Sequence, residues 1–283
     1  MSHNSPDIQL LIRSHINAFT KTEAKVANFV LNNLEKVIYL SVTELAEKAG
    51  VGETTVLRFC RKLDYKGFQE FKISLAKTSY HQEKQPGKIN SDDDINSIIN
   101  KTSENHIASI RNTNKLLNSS HIEQAIDYLI HATLIQFFGS GTSGLIAQQA
   151  AHLFMRIGKL TSVNIDSHFQ VMSASLLSEN DVAIGFSVSG ETKDTIYNLR
   201  LAKERGAKTI CITSSARSTI TEISDVSLII DAKENPLEGS SITPTLSQLS
   251  VIDILYTGVL INDEDKALKY REKTAKAVSD KQI

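Results

Sequence analysis

Two clusters of hydroxyl-bearing residues stand where they could hold an oxyanion. In residues 182–192, Val-Ala-Ile-Gly-Phe-Ser-Val-Ser-Gly-Glu-Thr, an apolar run ends at Phe186 and gives way to Ser187, Ser189, Gly190 and Thr192. A helical pattern follows, with Ile196, Leu199 and Ala202 on its apolar side. A buried strand, a hydroxyl-rich loop and a helix start bring free backbone N–H groups to the positive end of a helix dipole, which makes an anion site. Ser and Thr hydroxyls add hydrogen bonds to phosphate oxygens. The same order recurs upstream. Leu134-Ile135-Gln136-Phe137-Phe138 runs into Gly139-Ser140-Gly141-Thr142-Ser143-Gly144 and then Leu145-Ile146-Ala147. Two such loops on one sheet suit a small phosphorylated ligand held at both ends.

Other residues could move protons. Glu191, Glu238, His152 and His168 offer acids and bases on paper for general acid-base chemistry, which needs one of each. No spacing forces any pair of them together. Glu191 has a simpler role in favouring the first turn of its helix through the dipole. Glu238 lies in Asn-Pro-Leu-Glu-Gly-Ser-Ser (235–241), which could close over a ligand or stay solvated. His152 sits in an apolar helix beside Ala151, Leu153 and Phe154 and reads as a core or interface histidine.

The elements that must position these loops alternate. Candidate strands are 133–138, 160–164, 182–187, 208–213 and 226–230, with helices near 144–157, 168–177, 192–205 and 218–223 between them. That alternation predicts a parallel sheet covered by helices on both faces. Helices are also expected over 95–118, 120–131, 244–261 and 264–280, and residues 8–78 are helical by pattern. Residues 82–94 are polar, contain Pro86-Gly87 and lack periodicity, as a linker does. The expected organisation is an all-α domain over 1–79, a linker over 80–94, and an α/β domain with a doubly wound parallel sheet over 95–283.

The 283 residues carry a net charge of -1 with a pI near 6.7, so any nucleic-acid contact must come from a local patch. Cys60 and Cys211 are far apart, lack metal-ligand spacing and read as reduced core thiols. No ligand cluster calls for a metal, and no cofactor is implied. The polar N-terminus and the absence of a membrane-length apolar run predict a soluble cytoplasmic protein.

A local basic patch does exist. Ser41 with Glu44 three residues later fits a capping box before 42–49. Gly50-Val51-Gly52 turns the chain, and Glu53 to Leu63 makes a second helix with Val56, Phe59, Cys60 and Leu63 on its apolar face. Two helices and a tight turn match a helix-turn-helix. Thr54, Thr55, Arg58, Arg61 and Lys62 face elsewhere, and with Lys66, Lys72 and Lys77 outnumber Asp64 and Glu70. Residues at the start of such a helix reach base edges, and its cations reach phosphates or guanine.

The run Ala-Gly-Val-Gly-Glu-Thr-Thr-Val-Leu-Arg-Phe-Cys-Arg-Lys-Leu (49–63), with Lys66-Gly67-Phe68-Gln69-Glu70-Phe71-Lys72, resembles the helix-turn-helix of the RpiR family of bacterial transcriptional regulators. Segment 133–230 resembles the sugar isomerase (SIS) domain that this family carries behind its DNA-binding domain. Gly52 departs from the Ser that many relatives use as a cap, at a cost of a few tenths of a kcal/mol. Glu53 puts an acid near the DNA.

The resemblance implies a dimeric or tetrameric regulator of carbohydrate metabolism, amino sugars included, with a flavodoxin-like SIS domain. Its partners would be double-stranded operator DNA and a phosphosugar effector, with no membrane. The phosphate would be held by Ser187, Ser189 and Thr192 around Gly190, and by Ser140, Thr142 and Ser143. Asp166-Ser167-His168 matches a family Asp-x-His, so His168 would contact sugar hydroxyls or an acylamino group. Thr54, Thr55, Arg58, Arg61, Lys62 and Lys66 would meet DNA. Because SIS domains also occur in enzymes, phosphosugar isomerisation is the alternative activity.

Overall fold

The computed structural model describes residues 8–80, 89–232, 242–279 and 281. Most of the expected linker (81–88) and the loop 233–241 with Glu238 lie outside the described residues. The chain divides into one compact unit of residues 1–105 with 233–241 and another of 106–232 with 242–283.

The first unit is helical. It contains α1 (Ile8–Ser14), α2 (Lys21–Asn32), α3 (Leu34–Val37), α4 (Val42–Lys48), α5 (Glu53–Lys62) and α6 (Phe68–Tyr80). Ile12, Val26, Val30, Leu45, Val56, Phe59, Phe71 and Leu75 fill its core. Phe59 meets Phe71 edge-on, with ring centroids 5.5 Å apart. The predicted capping box forms: Ser41 Oγ accepts from Glu44 N at 3.1 Å, and Ser41 N donates to Glu44 Oε2 at 2.8 Å. At the other end of α4, Gly50 N bonds Glu47 O and Val51 N bonds Ala46 O, with Gly50 at φ +63. This is a Schellman stop, and it turns the chain into α5. α5 ends at Lys62, with Leu63 as its C-cap.

The boundary between the units falls within α7 (Ile95–Leu116). The second unit continues with α8 (Ser119–His131), β1 (Ile135–Gly139), α9 (Thr142–Arg156), β2 (Thr161–Val163), α10 (Ser167–Ser175), β3 (Val182–Phe186) and α11 (Lys193–Glu204). Then come β4 (Lys208–Thr213), α12 (Thr219–Ile223), β5 (Val226–Ile229), α13 (Ile242–Asn262) and α14 (Glu264–Ser279). The sheet is parallel throughout, in the order β2-β1-β3-β4-β5.

Alternation along the strands sorts the core into two layers. Ile135, Phe137, Ile184, Phe186, Ile210 and Ile212 pack with α8, α9 and α13. Phe138, Ala183 and Cys211 face the other way, against Ala174 of α10, Leu199 of α11 and Ile220 of α12. The doubly wound sheet therefore stands as expected, with no strand end moved by more than two residues.

Counter to the sequence expectation, α13 is long and apolar enough, by length and composition alone, to cross a membrane. Its Val251, Ile252, Leu255 and Val259 are buried in the core between sheet and helices. Ser247 on the same helix bonds Asp231 O at 3.0 Å and Ser109 at 2.7 Å. Both cysteines are free and buried, and burial pushes the Cys60 thiol up to about 12.

Candidate functional site

Strand order places the two hydroxyl loops together. β2 and β3 flank β1 on opposite sides, so the chain leaves β1 and β3 towards opposite faces of the sheet, and their carboxyl ends are the switch point where sheets of this kind form a ligand crevice. Gly139 pairs with Phe186 at that edge, so the two loops start side by side.

The first loop turns tightly into α9. A Cβ on Gly139 would lie 2.7 Å from Ser143 O, so only glycine admits this path. Gly141 is the N-cap of α9 and has no side chain to spend on the first turn. Ser140 is exposed, and Thr142 and Ser143 are half-buried. Gln248 of α13, which sequence reasoning passed over, reaches Ser143 Oγ with its Nε2 at 3.5 Å.

The second loop is braced from within. Ser187 is only 1 % exposed; its Oγ donates to Thr192 Oγ1 at 2.9 Å and accepts from Thr192 N at 3.3 Å. Ser189 Oγ accepts from Glu191 N at 3.2 Å. Thr192 is the N-cap of α11 but makes no side-chain cap bond. Ser189 and Thr192 are half-buried and reachable, whereas Ser187 works from below. Both α9 and α11 thus begin at the crevice without a side-chain cap, the arrangement that favours a bound anion.

The loop after β4 buttresses the second loop. Ser214 N and Oγ both donate to Val188 O, at 2.9 and 2.8 Å, and Thr213 Oγ1 does so at 3.2 Å. Gly190 has φ +72, and a Cβ there would lie 2.2 Å from Ser218 Oγ. Glu191, read from sequence as a helper of its own helix, instead turns its carboxylate to Thr219 at the start of α12. Each of its oxygens accepts one hydrogen bond there.

Asp166 is the N-cap of α10, accepting from His168 N at 2.9 Å and Phe169 N at 3.1 Å. His168 is exposed on the first turn of that helix. His152 is exposed on α9 and not part of the core. Among the described residues no cluster of His, Cys, Asp or Glu could hold a metal.

On the helix-turn-helix, Thr54, Arg58, Arg61 and Lys66 are exposed. Thr55 is 6 % exposed and accepts a long bond, 3.4 Å, from Arg58 Nη2. Its i+4 relation to Phe59 was the signal that it faces inward. Lys62 stays exposed, with 38 % of its side chain open to solvent, but its Nζ is engaged, donating to Glu23 Oε2 and Ala18 O, both at 2.7 Å. Burial alone would raise the Glu23 pKa; the bonds from Lys62 and from Thr20 outweigh it and hold the carboxyl below its ordinary value. Lys72 is buried, with Nζ 2.9 Å from Leu40 O and above the Phe68 ring. The exposed basic patch is therefore smaller than the residue count implied. Glu53 accepts from Thr43 Oγ1 at 2.5 Å, tying the start of α5 to α4.

Comparison with known proteins matches both halves. The rpiR-family helix-turn-helix domain matches residues 7–82, and the SIS domain matches 128–258. An uncharacterized HTH-type transcriptional regulator of Caldanaerobacter subterraneus subsp. tengcongensis is 35% identical over 278 residues, 98% of this chain and 99% of its own. The chain belongs to the RpiR family of transcriptional regulators. The regulator HexR of Escherichia coli is 32% identical over 262 residues, covering 92% of this RpiR regulator and 89% of HexR. The Vibrio vulnificus NanR protein complexed with ManNAc-6P superposes with a TM-score of 0.89 at 26% identity, over 98% of this chain and 99% of that one. The α4–α5 pair thus lies within the helix-turn-helix domain of an RpiR regulator, and the parallel sheet lies within its SIS domain.

Proposed function

We propose that this regulator binds operator DNA through α5 and that a phosphosugar in the SIS crevice modulates that binding. The observation that carries the reading is the pairing of two hydroxyl-bearing loops, each opening a helix without a side-chain cap, at the switch point of the sheet. Ser140, Thr142, Ser143, Ser189 and Thr192 take the phosphate, with Ser187 and Gly190 shaping the loop. His168 contacts the sugar. The likeness to NanR with its bound ManNAc-6P supports a phosphorylated sugar as the class, and an acylated amino sugar as the first to try.

Thr54, Arg58, Arg61 and Lys66 meet the DNA, and a two-fold pair of such motifs reads two half-sites. The α10 face supports a second copy as the partner. Ile165, Phe169, Met172 and Leu176 are 76, 58, 58 and 83 % exposed and follow a 4-3-4 spacing, an apolar seam along the helix and its flanks. The effector acts only if it binds the DNA-competent and DNA-free arrangements with different affinity. α7 and the segment before it are the route by which the two domains communicate. Action on DNA places the protein in the cytoplasm.

The test is fluorescence anisotropy on DNA from upstream of the regulator's own gene, with a panel of sugar phosphates that includes ManNAc-6P. Specific binding shifted by one phosphosugar and not by its unphosphorylated parent is the expected result. Turnover of a sugar phosphate to its isomer, with no specific DNA binding, would overturn the reading.

A further inference from the structure

Gln170 lies on α10 and is 1 % exposed. Its amide bonds three separate segments. Nε2 donates to Gly139 O at 3.1 Å, where the first loop begins, and to Ile165 O at 3.3 Å, just before Asp166 and His168. Oε1 accepts from Asn198 Nδ2 at 3.1 Å, on the second turn of α11, the helix that Thr192 opens. Two backbone carbonyls need the NH2 end and Asn198 needs the carbonyl end, so the amide has one orientation.

The surroundings make this an expensive way to fill a core. The layer is otherwise built from Phe138, Ala174, Ala183, Leu199 and Ala202. Asn198 Oδ1, Thr195 Oγ1 and Gln136 Oε1 are buried with no hydrogen-bond partner. Apolar side chains of like volume would avoid that desolvation cost. What a satisfied buried amide adds is fixed geometry between the elements it joins. Here those elements are the first hydroxyl loop, the His168 turn and the helix behind the second loop.

We propose that Gln170, with Asn198 behind it, is the positioning residue that locks these three elements into one ligand-competent arrangement. The proposal rests on reading the crevice as the phosphosugar site. Gln170 touches no ligand; it sets the distance between the groups that do. A sugar phosphate must meet both loops and the His168 turn at once and depends on those distances, whereas inorganic phosphate does not reach the His168 turn and can settle on the loops alone.

The experiment uses the full chain, with Gln170→Met, which keeps volume and removes all three bonds, and Asn198→Leu, which removes only the α11 end. Hydrogen exchange is read without ligand at 138–142, 166–169 and 192–196, and calorimetry measures binding of inorganic phosphate and of hexose 6-phosphates. Gln170→Met should speed exchange at all three segments by tenfold or more, and Asn198→Leu chiefly at 192–196. Sugar-phosphate affinity should fall by tenfold or more in Gln170→Met while inorganic phosphate falls by less than threefold. Unchanged exchange, or faster exchange spread evenly over the sheet, overturns the positioning role, as does an equal loss for both ligands. A wild-type protein that binds no phosphate ester sinks the site reading, and the exchange result then still decides whether Gln170 ties the three segments.

Discussion

The carboxylate of Glu191 caps a helix to which it does not belong. Oε1 accepts from Thr219 N at 3.0 Å and Oε2 accepts from Thr219 Oγ1 at 2.8 Å, at the first residue of α12. The second hydroxyl loop is thereby docked on the segment after β4, where Ile220 N also bonds Gly190 O at 3.1 Å.

Glu191→Ala should therefore behave as the loss of a cap. A destabilisation of about 1–2 kcal/mol in thermal or urea unfolding is expected, together with weaker phosphosugar binding. Glu191→Gln should recover part of both. A variant as stable as the wild type would show that the contact with Thr219 does not hold the loop.

Gly190→Ala should be costlier. The left-handed backbone alone costs a non-glycine residue about 1–3 kcal/mol, and the added methyl would collide with Ser218. A loss of about 3 kcal/mol in urea unfolding is the expected outcome. A neutral substitution would mean that the loop takes another path in solution.

The cations of α5 should separate into two kinds. Lys62→Met breaks the bonds to Glu23 and Ala18 and leaves the buried Glu23 carboxylate with its Thr20 bond but no counter-ion, so it should cost about 1–3 kcal/mol of stability. Arg58→Ala and Arg61→Ala should leave stability within about 0.5 kcal/mol. They should instead weaken operator binding, by about 1–3 kcal/mol where the side chain reads a base, or lower the salt slope by about 1 where it meets a phosphate. Equal effects of all three variants on both measurements would contradict this division.

Two carboxylates tie stability to acid. Glu23 and Asp225 both have lowered pKa values: burial opposes their charge but is outweighed by bonds from Lys62 and Thr20, and from Lys203 and Thr209. A lowered folded-state pKa gives stability that is full above the ordinary carboxylate value and is lost as pH falls through the folded value. Unfolding scans should show the wild type weakening as pH drops below 4.5, the ordinary value for Glu23. In Glu23→Gln the acid-dependent part of the slope should shrink. A slope identical to the wild type would exclude Glu23 as a contributor.

The seam on α10 predicts an assembly. Phe169→Lys with Leu176→Glu should lower the mass measured by light scattering and leave the fold intact by circular dichroism. An unchanged mass would place the interface elsewhere.

Much of the fold was legible because its signals are local. The Ser41–Glu44 box, the Gly50 stop and the alternation of apolar runs with helical ones each depend on neighbours within a few residues. The hydroxyl loops could be read as anion sites for the same reason. Gln170 could also have been noticed, since it shares the buried i, i+4 face of its helix with Ala174. Lys62 could not, because its partner Glu23 is 39 residues away on another helix.

The sequence by itself determined the helical N-terminal region, the strand-loop-helix units and the hydroxyl content of their loops, since all of these follow from composition and spacing along the chain. Only the tertiary structure decided which hydroxyls are reachable, which cations face outward and which acid is spent on a neighbouring helix. Thr55, Lys62, Ser187 and Glu191 all carry polar side chains, yet each is directed by contacts with residues from other turns or elements. Hydrogen bonds and burial depend on distance in space, and that distance exists only once the helices and strands have met.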